Sequence, residues 1–411
     1  MSQMSAYDGA LAETATGRRS SALAVDVEGH SALIRDAFAD ARVLILGGAG
    51  TIGSATLRAL LPLGPRAVHV VDHNENELAE LVRDLRSSAL LQENVDFRLM
   101  PLDYGSELTR HFVARAGPYD CVLHFAAVKH VRSEKDVASI LHMLDVNVVR
   151  QRRLGGWLRE CSVPRRYFTV STDKAANPVS FMGASKRLAE HLVFSRSFLA
   201  AYGANCTSAR FANVAYSAGS LPAGWVERMR KRQPIAVPGH TRRFFVSVEE
   251  AAQICVLSAA AIPSGSLSVP RFTSVADGRE LTSVARQFLA LMGYESVSFD
   301  SEEAARNAVE SLSPLAQWPL LITPRTTDGE KEEEEFLGPS EIAEDCGIHL
   351  LAAVPQEGGD EPRVLDAIQQ IAEWVNAPPQ TLGVSDIAAC VKSAVPEFEP
   401  RHGGRSLDAQ M

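Results

Sequence analysis

Apolar runs that alternate with amphipathic segments dominate the first half of the chain. Five short runs predict β-strands, at Val43–Leu46, Ala67–Val71, Asp96–Met100, Cys121–Phe125 and Tyr167–Val170. Around them, helical spacing predicts helices at Asp26–Phe38, Ser54–Leu61, Leu78–Ser88, Ile140–Cys161 and Ala184–Phe198. Strands that alternate with helices predict an α/β fold with a parallel sheet covered by helices on both faces.

A glycine-rich turn joins the first predicted strand to its helix. The turn has the sequence Gly47-Gly48-Ala49-Gly50-Thr51-Ile52-Gly53. Glycines in such a strand–turn–helix unit let the backbone approach a pyrophosphate, which sits at the positive end of the helix. The sequence therefore predicts a Rossmann-type, doubly wound domain that binds a dinucleotide, with contacts from Gly47, Gly50, Thr51, Ile52 and Gly53.

An acid at the end of the second strand indicates which dinucleotide is preferred. Asp72 lies about twenty residues past the glycines, where this fold holds the adenosine ribose hydroxyls. A carboxylate repels a 2′-phosphate, and His73 and Asn74 supply no arginine to offset it. We therefore expect NAD rather than NADP, with Asp103 at the end of the third strand as a further contact.

The alternation of predicted strands and helices becomes irregular after Arg210, and proline and glycine become more frequent. We expect a flexible leader (residues 1–25), a nucleotide-binding domain (26–210) and a smaller substrate-binding lobe with C-terminal helices (211–411), partly interleaved with that domain. Helical stretches are predicted at Val364–Val375 and Val384–Val395. The four glutamates of Glu332–Glu335 are interpreted as a solvated helix face.

Composition narrows the class of protein. The net charge of −9, with no basic stripe, argues against nucleic-acid binding. No run has the length of a membrane span, and the first twenty residues lack the apolar region of a signal peptide, so we expect a cytoplasmic protein. The six cysteines are scattered and no histidine pair has ligand spacing, so no metal site is predicted.

The fifth strand leads into the residues with the most chemistry. It ends in Ser171-Thr172-Asp173-Lys174, at the edge of the sheet where this fold binds ligands. Lys186 follows near the start of the next helix. Short-chain dehydrogenases carry a Tyr-x-x-x-Lys pair here, but the tyrosine position is Met182, which cannot accept a proton.

These strings resemble the nucleotide-sugar 4,6-dehydratases of bacterial polysaccharide biosynthesis, which are extended short-chain dehydrogenases. The resemblance rests mainly on residues 171–178 and 182–190, and one branch of that family also has methionine for the tyrosine. It extends to residues 72–78, 126–131, 213–214, 219–220, 243–245, 329–331 and 395–398, covering about Asp26 to Pro400.

The resemblance implies an activity and roles for residues. NAD would oxidise C4 of a UDP-linked N-acetylhexosamine, water would leave across C5 and C6, and the hydride would return to C6. Lys174 would be the C5 base and Asp173 the acid for the leaving hydroxyl. Thr172 would hydrogen-bond the C4 oxygen, and Lys186 would hold the nicotinamide ribose. The expected further contacts are Ala126 and Ala127 with the cofactor, and Lys129, His130, Asn213, Ser220 and Arg243 with the substrate.

This interpretation requires particular protonation states and an available strand end. Lys174 must be neutral, and burial, Lys186 and the positive nicotinamide would lower its pKa. Asp173 and Lys174 reach one ligand only if the strand has ended, since strand neighbours point to opposite faces. Without the tyrosine, a water or Thr172 with Asp173 would relay the C4 proton. Asn147, in the long helix, is expected to be a buried hydrogen-bonding residue.

Departures from the family keep alternatives open. Tyr216-Ser217-Ala218-Gly219-Ser220 replaces the usual Gly-Ser-Arg-Gly-Ser, and Arg325–Asp328 replaces a tighter turn. One alternative is an NAD-dependent epimerase or oxidoreductase acting on a related nucleotide sugar or a nucleoside-type metabolite. Another is a degenerate NAD-binding protein without activity. A homo-oligomer is expected, because the helices at 140–161 and 184–198 sit where relatives pair into a four-helix interface.

Overall fold

The structure is a computed structural model that describes residues 3–130, 134, 136–161, 163–202, 205–271, 278–324, 334–359 and 361–400. Its strands are β1 (Arg42–Leu46), β2 (Ala67–Asp72), β3 (Asp96–Pro101), β4 (Cys121–His124), β5 (Arg166–Thr172), β6 (Asn205–Phe211), β7 (Asn213–Val214), β8 (Ile235–Pro238), β9 (Arg242–Arg243), β10 (Phe245–Val246), β11 (Ser266–Pro270), β12 (Arg279–Glu280), β13 (Glu295–Phe299), β14 (Gln317–Thr323), β15 (Glu344–Asp345) and β16 (Leu351–Pro355).

The helices are α1 (Gln3–Thr16), α2 (Ala24–Gly29), α3 (Ser31–Phe38), α4 (Thr51–Leu60), α5 (Glu75–Ser87), α6 (Glu107–Ala116), α7 (Val137–Leu144), α8 (Arg150–Cys161), α9 (Phe181–Val193), α10 (Arg196–Tyr202), α11 (Leu221–Arg230), α12 (Val248–Ala261), α13 (Leu281–Leu291), α14 (Glu302–Leu312), α15 (Glu361–Asn376) and α16 (Val384–Ala394). Within the described ranges, no helix combines the length and the apolar composition needed to cross a bilayer.

A nine-stranded sheet in the order β15-β16-β11-β6-β5-β4-β1-β2-β3 forms the centre of the molecule. Its strands are parallel from β3 to β11, whereas β16 runs antiparallel to β11 and β15 antiparallel to β16. Apolar side chains of α3, α4, α5 and α12 cover one face, and those of α6 to α9, α15 and α16 cover the other. The predicted doubly wound α/β fold is thus confirmed.

A smaller lobe is built from the second half of the chain. A parallel sheet of three strands, in the order β13-β14-β8, packs with α11, α13 and α14 around Trp225, Phe288 and Trp318. Strand β11, the β15–β16 hairpin and the helices α12, α15 and α16 return to the large sheet. The two regions expected from the sequence are therefore interleaved through most of residues 211–400.

The segment expected to be a flexible leader contains a packed helix. In α1, Leu11 and Ala15 are buried against the core of the smaller lobe. Beyond its end, the guanidinium of Arg18 pairs with Glu250 at 2.7 Å. The expectation was wrong because this helix packs through a few small and apolar residues, which give little periodic signal.

The predicted long helices are interrupted. A single π-helical turn at Asp145–Val149 separates α7 from α8, and Phe194 and Ser195 separate α9 from α10. Helices α15 and α16 pack on α9, and nearly every residue of α9 is buried. Helix α9, which was expected to pair with a second copy, is covered by α15 and α16 of the same chain, and the oligomeric state stays a prediction.

A buried cluster of charges joins the C-terminal segment to the large sheet. Arg210 on β6 is fully buried and donates to Glu190 at 2.7 and 2.9 Å and to Glu341 at 2.9 Å. Arg187 donates to Glu341 and to Glu397, both at 2.7 Å. Burial opposes ionisation of Glu341, but the two arginines outweigh it and lower its pKa to about 2.

Replacing Arg210 should therefore destabilise the protein strongly. Arg210→Met leaves Glu190 and Glu341 buried with one cation fewer, which typically costs about 3–5 kcal/mol. Arg58→Met is the matched control, because its partner Asp84 is half exposed and such pairs contribute less than about 1 kcal/mol. Urea unfolding measures both variants, and equal losses would contradict the importance of the buried cluster.

Candidate functional site

The glycine turn after β1 leaves no room for a side chain at Gly47 or Gly53. Gly47 has a φ of +73°, and a Cβ added to it would lie 2.5 Å from the amide nitrogen of Ala126. A Cβ on Gly53 would lie 2.4 Å from the Gly47 carbonyl oxygen. Helix α4 begins at Thr51, and its N-cap Gly50 has no side chain to accept the first amides. The turn therefore fits a phosphate at the positive end of α4.

Asp72 holds this turn from the end of β2. Its carboxylate is buried and accepts the amides of Ala49 and Asn74, each at 3.0 Å. Asp103 follows β3, accepts the Gly105 amide at 2.8 Å and pairs with Arg150. Both carboxylates thus lie at the same edge of the sheet as the glycine turn.

The π-helical turn positions the segment after β4. Asn147 accepts the Val128 amide at 2.8 Å and donates to the Val128 carbonyl and to Ser185 Oγ, each at 2.9 Å. The expectation of a buried hydrogen-bonding residue is confirmed. Ala126, which precedes Val128 in this segment, lies against Gly47, so the fourth strand borders the predicted cofactor turn.

Strand β5 ends before the candidate acid and base, so their side chains are not forced to opposite faces of the sheet. Strand β5 stops at Thr172, and Asp173–Ala175 forms a 3₁₀ turn. Thr172 Oγ1 donates to Asp173 Oδ1 at 2.7 Å, and Lys174 Nζ lies 3.1 and 3.2 Å from the two carboxylate oxygens. Thr172, Asp173 and Lys174 therefore form a connected chain of hydrogen bonds.

The protonation state of Lys174 differs from the expectation. Burial disfavours its charge, but the carboxylates of Asp173 and Glu334 outweigh burial and raise the pKa of Lys174. The expected lowering was therefore wrong for the protein without ligands, because the sequence did not place two carboxylates around this amine. Lys174 is an ammonium here.

Helix α9 carries the other two predicted residues. Lys186 Nζ donates to the Val170 carbonyl at 3.0 Å, and burial lowers its pKa to about 8. Met182 is buried in the first turn. Glu134, which sequence reasoning missed, accepts the amides of Phe181 and Met182 at 2.9 and 2.8 Å. It lies in a loop without periodic pattern, so no sequence signal pointed to it.

Several residues of the predicted substrate side meet across the glycine turn. Lys129 Nζ donates to the Ala218 carbonyl at 2.8 Å, and the Ala218 amide donates to Thr51 Oγ1 at 3.1 Å. A Cβ on Gly219 would lie 2.6 Å from the His130 ring. Ser220 is the N-cap of α11, where its hydroxyl accepts the Ala223 amide.

The tyrosine that replaces a family glycine has a specific contact. Tyr216 adopts a φ of +54°, in the left-handed region that glycine occupies without strain. Its hydroxyl lies 2.7 Å from Thr14 Oγ1 on α1. Helix α1 therefore helps to hold the loop that reaches the glycine turn.

Glu334 joins the substrate side to the acid–base pair. Its buried carboxylate accepts Asn213 Nδ2 at 2.5 Å and the Phe244 amide at 2.8 Å, and Arg243 Nε lies 3.7 Å away. Burial and the Asp173 charge raise the pKa of Glu334 to about 7. The interpretation of a solvated helix face is wrong for Glu334, since residues 334–338 form no helix and the Glu334 side chain is buried against Asn213.

The structure does not describe all of the residues that the sequence analysis singled out. Val131, Arg325–Asp328, Gly329–Lys331, Glu332 and Glu333 lie outside the described residues. The described part brings a phosphate-sized turn, a hydrogen-bonded Thr–Asp–Lys chain and a buried glutamate to one edge of the sheet. This set of groups can bind a dinucleotide and transfer protons beside it.

The chain matches a known protein family. The family described as "Polysaccharide biosynthesis protein" matches residues 43–310. The chain is 28% identical over 282 residues to the uncharacterized membrane protein MJ1061 of Methanocaldococcus jannaschii, covering 68% of this chain and 81% of that protein. It is 25% identical over 348 residues to the probable polysaccharide biosynthesis protein EpsC of Bacillus subtilis, covering 82% and 51%.

A further relative is the inverting UDP-N-acetylglucosamine 4,6-dehydratase of Campylobacter jejuni. The chain is 25% identical to it over 238 residues, covering 57% of this chain and 67% of the relative. The chain thus spans most of the archaeal relative's length but only about half of EpsC.

Solved structures share the fold. Pen from Bacillus thuringiensis has a TM-score of 0.62 at 20% identity, covering 78% of this chain and 89% of Pen. A UDP-N-acetylglucosamine 4-epimerase from Methanobrevibacter ruminantium, in complex with UDP-N-acetylmuramic acid, has 0.53 at 18%, covering 82% and 98%. WbmF of Bordetella bronchiseptica, in complex with NAD+ and UDP, has 0.50 at 15%, covering 83% and 98%.

The packing of the glycine turn can be tested by adding a single methyl group. Gly53→Ala forces a Cβ against the backbone of Gly47 and should lower the free energy of unfolding by about 1–3 kcal/mol. Gly156→Ala, in α8 with no atom within 4 Å of the added Cβ, is the control and should stabilise by about 0.5–1 kcal/mol. Urea unfolding compares the two, and a neutral Gly53→Ala would contradict the tight turn.

Proposed function

Because the chain belongs to the polysaccharide biosynthesis protein family, we propose that it is an NAD-dependent nucleotide-sugar 4,6-dehydratase that acts on a UDP-linked N-acetylhexosamine. The observation that carries the proposal is the Thr172–Asp173–Lys174 chain of hydrogen bonds, beside a glycine turn and with Met182 in the tyrosine position. An elimination needs an acid and a base side by side, and Asp173 and Lys174 would supply them.

The residues at the sheet edge fit NAD. The pyrophosphate would lie at Gly50, Thr51 and Ile52, at the uncapped start of α4, and Asp72 would accept the adenosine ribose hydroxyls. Lys186 would hold the nicotinamide ribose. When bound, NAD would accept a hydride from C4 of the sugar and return it to C6.

Thr172 and Asp173 would take the proton that a tyrosine takes in other short-chain dehydrogenases. The Thr172 hydroxyl already donates to Asp173, so a C4 hydroxyl that donates to Thr172 can pass its proton to the carboxylate in one concerted shift. Asp173 then becomes a carboxylic acid. This leaves the acid needed for the next step in place.

The C4 ketone acidifies the hydrogen on C5, and Lys174 in its amine form would remove it. Asp173 gives its proton to the C6 oxygen, the C6–O bond breaks and water leaves. After the hydride returns to C6, Lys174 returns a proton to C5. The proton of the C4 hydroxyl has then left in the water, Asp173 is again a carboxylate and Lys174 is again an amine.

The substrate would bind along the smaller lobe. We propose that Lys129, His130, Asn213 and Arg243 contact the nucleotide diphosphate or the sugar and that Ser220 contributes from the start of α11. A guanidinium such as that of Arg243 is suited to two phosphate oxygens. The dehydratase name of the Campylobacter jejuni relative supports the reaction, and the UDP-bound state of WbmF supports the nucleotide.

An NAD-dependent epimerase is the second candidate. Tyr216 and Ala218 replace the family's glycine and arginine in the loop over the site, so the sugar could be held differently. The fold shared with a UDP-N-acetylglucosamine 4-epimerase is compatible with this alternative. A non-enzymatic NAD-binding protein is the third.

Incubation with UDP-N-acetylglucosamine separates these candidates. We expect a product lighter by the mass of one water molecule, detected by mass spectrometry with NAD present. A product of unchanged mass but altered stereochemistry would favour the epimerase. Binding of NAD without turnover of any UDP-N-acetylhexosamine would favour the protein without activity.

Two substitutions should separate the oxidation of C4 from the elimination of water. Asp173→Asn removes the proton acceptor for C4 oxidation and the acid for elimination, so dehydration should fall by at least about 10²-fold with little reduced nicotinamide formed. Lys174→Ala should lose dehydration equally but still reduce the nicotinamide on mixing with substrate. Lys392→Ala, on the exposed side of α16, is the control. Dehydration is measured by mass spectrometry. A wild-type rate in both site variants would refute these roles.

A further inference from the structure

The proposed reaction does not yet account for one proton, the one that Lys174 carries before substrate binds. Lys174 is an ammonium before substrate binds, because Asp173 and Glu334 raise its pKa, yet the elimination needs an amine. Asp173 cannot take that proton, because it receives the one from the C4 hydroxyl. A second acceptor near Lys174 is therefore required.

Glu334 is the carboxylate in the right place. It comes from the segment after the smaller lobe and is anchored by Asn213 on β7 and the amide of Phe244. The charged groups that face it are Asp173 and Lys174 from the 3₁₀ turn and Arg243 from β9. Asn213 follows β6, whose last residue Phe211 pairs with Thr172 at the end of β5. Asn177, three residues after Lys174, donates to the neighbouring Glu335 at 2.7 Å, so Glu334 and Lys174 lie at the same edge of the sheet.

We propose that Glu334 stores the proton of Lys174 during each reaction cycle. This inference rests on the proposed dehydratase activity. It adds Glu334 to Asp173 and Lys174 as a third residue that moves protons, and assigns it to a step that Asp173 cannot perform.

The order of events follows from the contacts. Lys174 Nζ bonds to Asp173 and has no hydrogen bond to Glu334 among the described residues. When Asp173 takes the C4 proton, it loses its charge and no longer attracts the ammonium. Lys174 can then turn to the remaining carboxylate, Glu334, and leave a proton there.

The proton balance closes without solvent. The N–H bond of Lys174 breaks and an O–H bond forms on Glu334, which gives an amine and a carboxylic acid. The amine takes the C5 proton and later returns it to C5. Glu334 then gives its stored proton back to Lys174, and both groups regain their starting charges.

The ionisation of Glu334 sets the pH at which storage works. Its pKa is raised to about 7 by burial and Asp173, so below about pH 7 it already holds a proton and cannot accept another. The rate should therefore fall about tenfold per pH unit as the pH drops below this value. The rate above it should be constant until Lys186 titrates, since burial lowers the pKa of Lys186 to about 8.

The test measures kcat/KM for dehydration of UDP-N-acetylglucosamine between about pH 5.5 and about pH 9 with NAD present. Glu334→Gln keeps the shape and an acceptor for the Phe244 amide but cannot store a proton. We expect it to lose the decline near pH 7 and about 10²-fold in kcat. Reduced nicotinamide should accumulate on mixing with substrate, because C4 oxidation outruns the elimination.

Glu335→Gln is the matched control, since it removes one charge from the neighbouring residue, which bonds Asn177. It should keep the wild-type pH profile and rate. Glu334→Asp should keep a decline at low pH and recover part of the rate, which a merely structural role of Glu334 would not require.

Three results would overturn the proposal. The first is a wild-type profile without a decline near pH 7, a result that stands even if Glu334→Gln does not fold. The second is a decline that persists unchanged in Glu334→Gln. The third is a loss in Glu334→Gln confined to KM, with no reduced nicotinamide. If the wild type forms no dehydrated product at all, the proposed function itself fails, and this inference fails with it.

Discussion

A parallel sheet brings the carboxyl ends of its strands to one edge, and the candidate site depends on that constraint. The register pairs Leu46 at the end of β1 with Val71 of β2 and His124 of β4, and it pairs Thr172 at the end of β5 with Phe211 at the end of β6. The residues that follow or end these strands therefore lie along one edge of the sheet, although up to 126 positions separate them in the sequence: Gly47, Asp72, Ala126 and Asp173. The 3₁₀ turn after β5 completes the arrangement, because it ends the alternation that would turn Asp173 and Lys174 apart.

Electrostatics decides how such a site works without a phenol. A tyrosine in the usual position would accept the C4 proton itself, whereas Met182 cannot. In our proposal the proton goes to Asp173, which then cannot take a second one. A site that uses a lysine beside two carboxylates starts with the amine charged. The additional buried carboxylate is thus both the cause of this difficulty and, in our proposal, its solution.

The sequence predicted those parts of the fold that depend on local pattern. The glycine turn, Asp72 and the Thr172-Asp173-Lys174 string are short-range signals, and the structure places them at one edge of the sheet. The packing of α1, the antiparallel insertion of β16 and the burial of Glu334 could not be predicted in this way. Each depends on contacts between residues far apart in the chain, and a run of glutamates has the same local pattern whether it is solvated or buried.

The raised pKa of Lys174 was missed for the same reason. Burial alone lowers the pKa of a lysine, and only the positions of Asp173 and Glu334 reverse the sign. These residues are one and 160 positions away, respectively. A single sequence shows the first neighbour and not the second.

The buried charge cluster has a consequence for biosynthesis on the ribosome. Strand β6 and its Arg210 are translated long before Glu341, which neutralises that arginine, and before β16, which pairs with β11. An emerging chain that has completed the nucleotide-binding strands still lacks these partners. The central sheet therefore reaches its final form only after Glu341 and β16 have left the exit tunnel, so the nascent sheet depends on protection until that point.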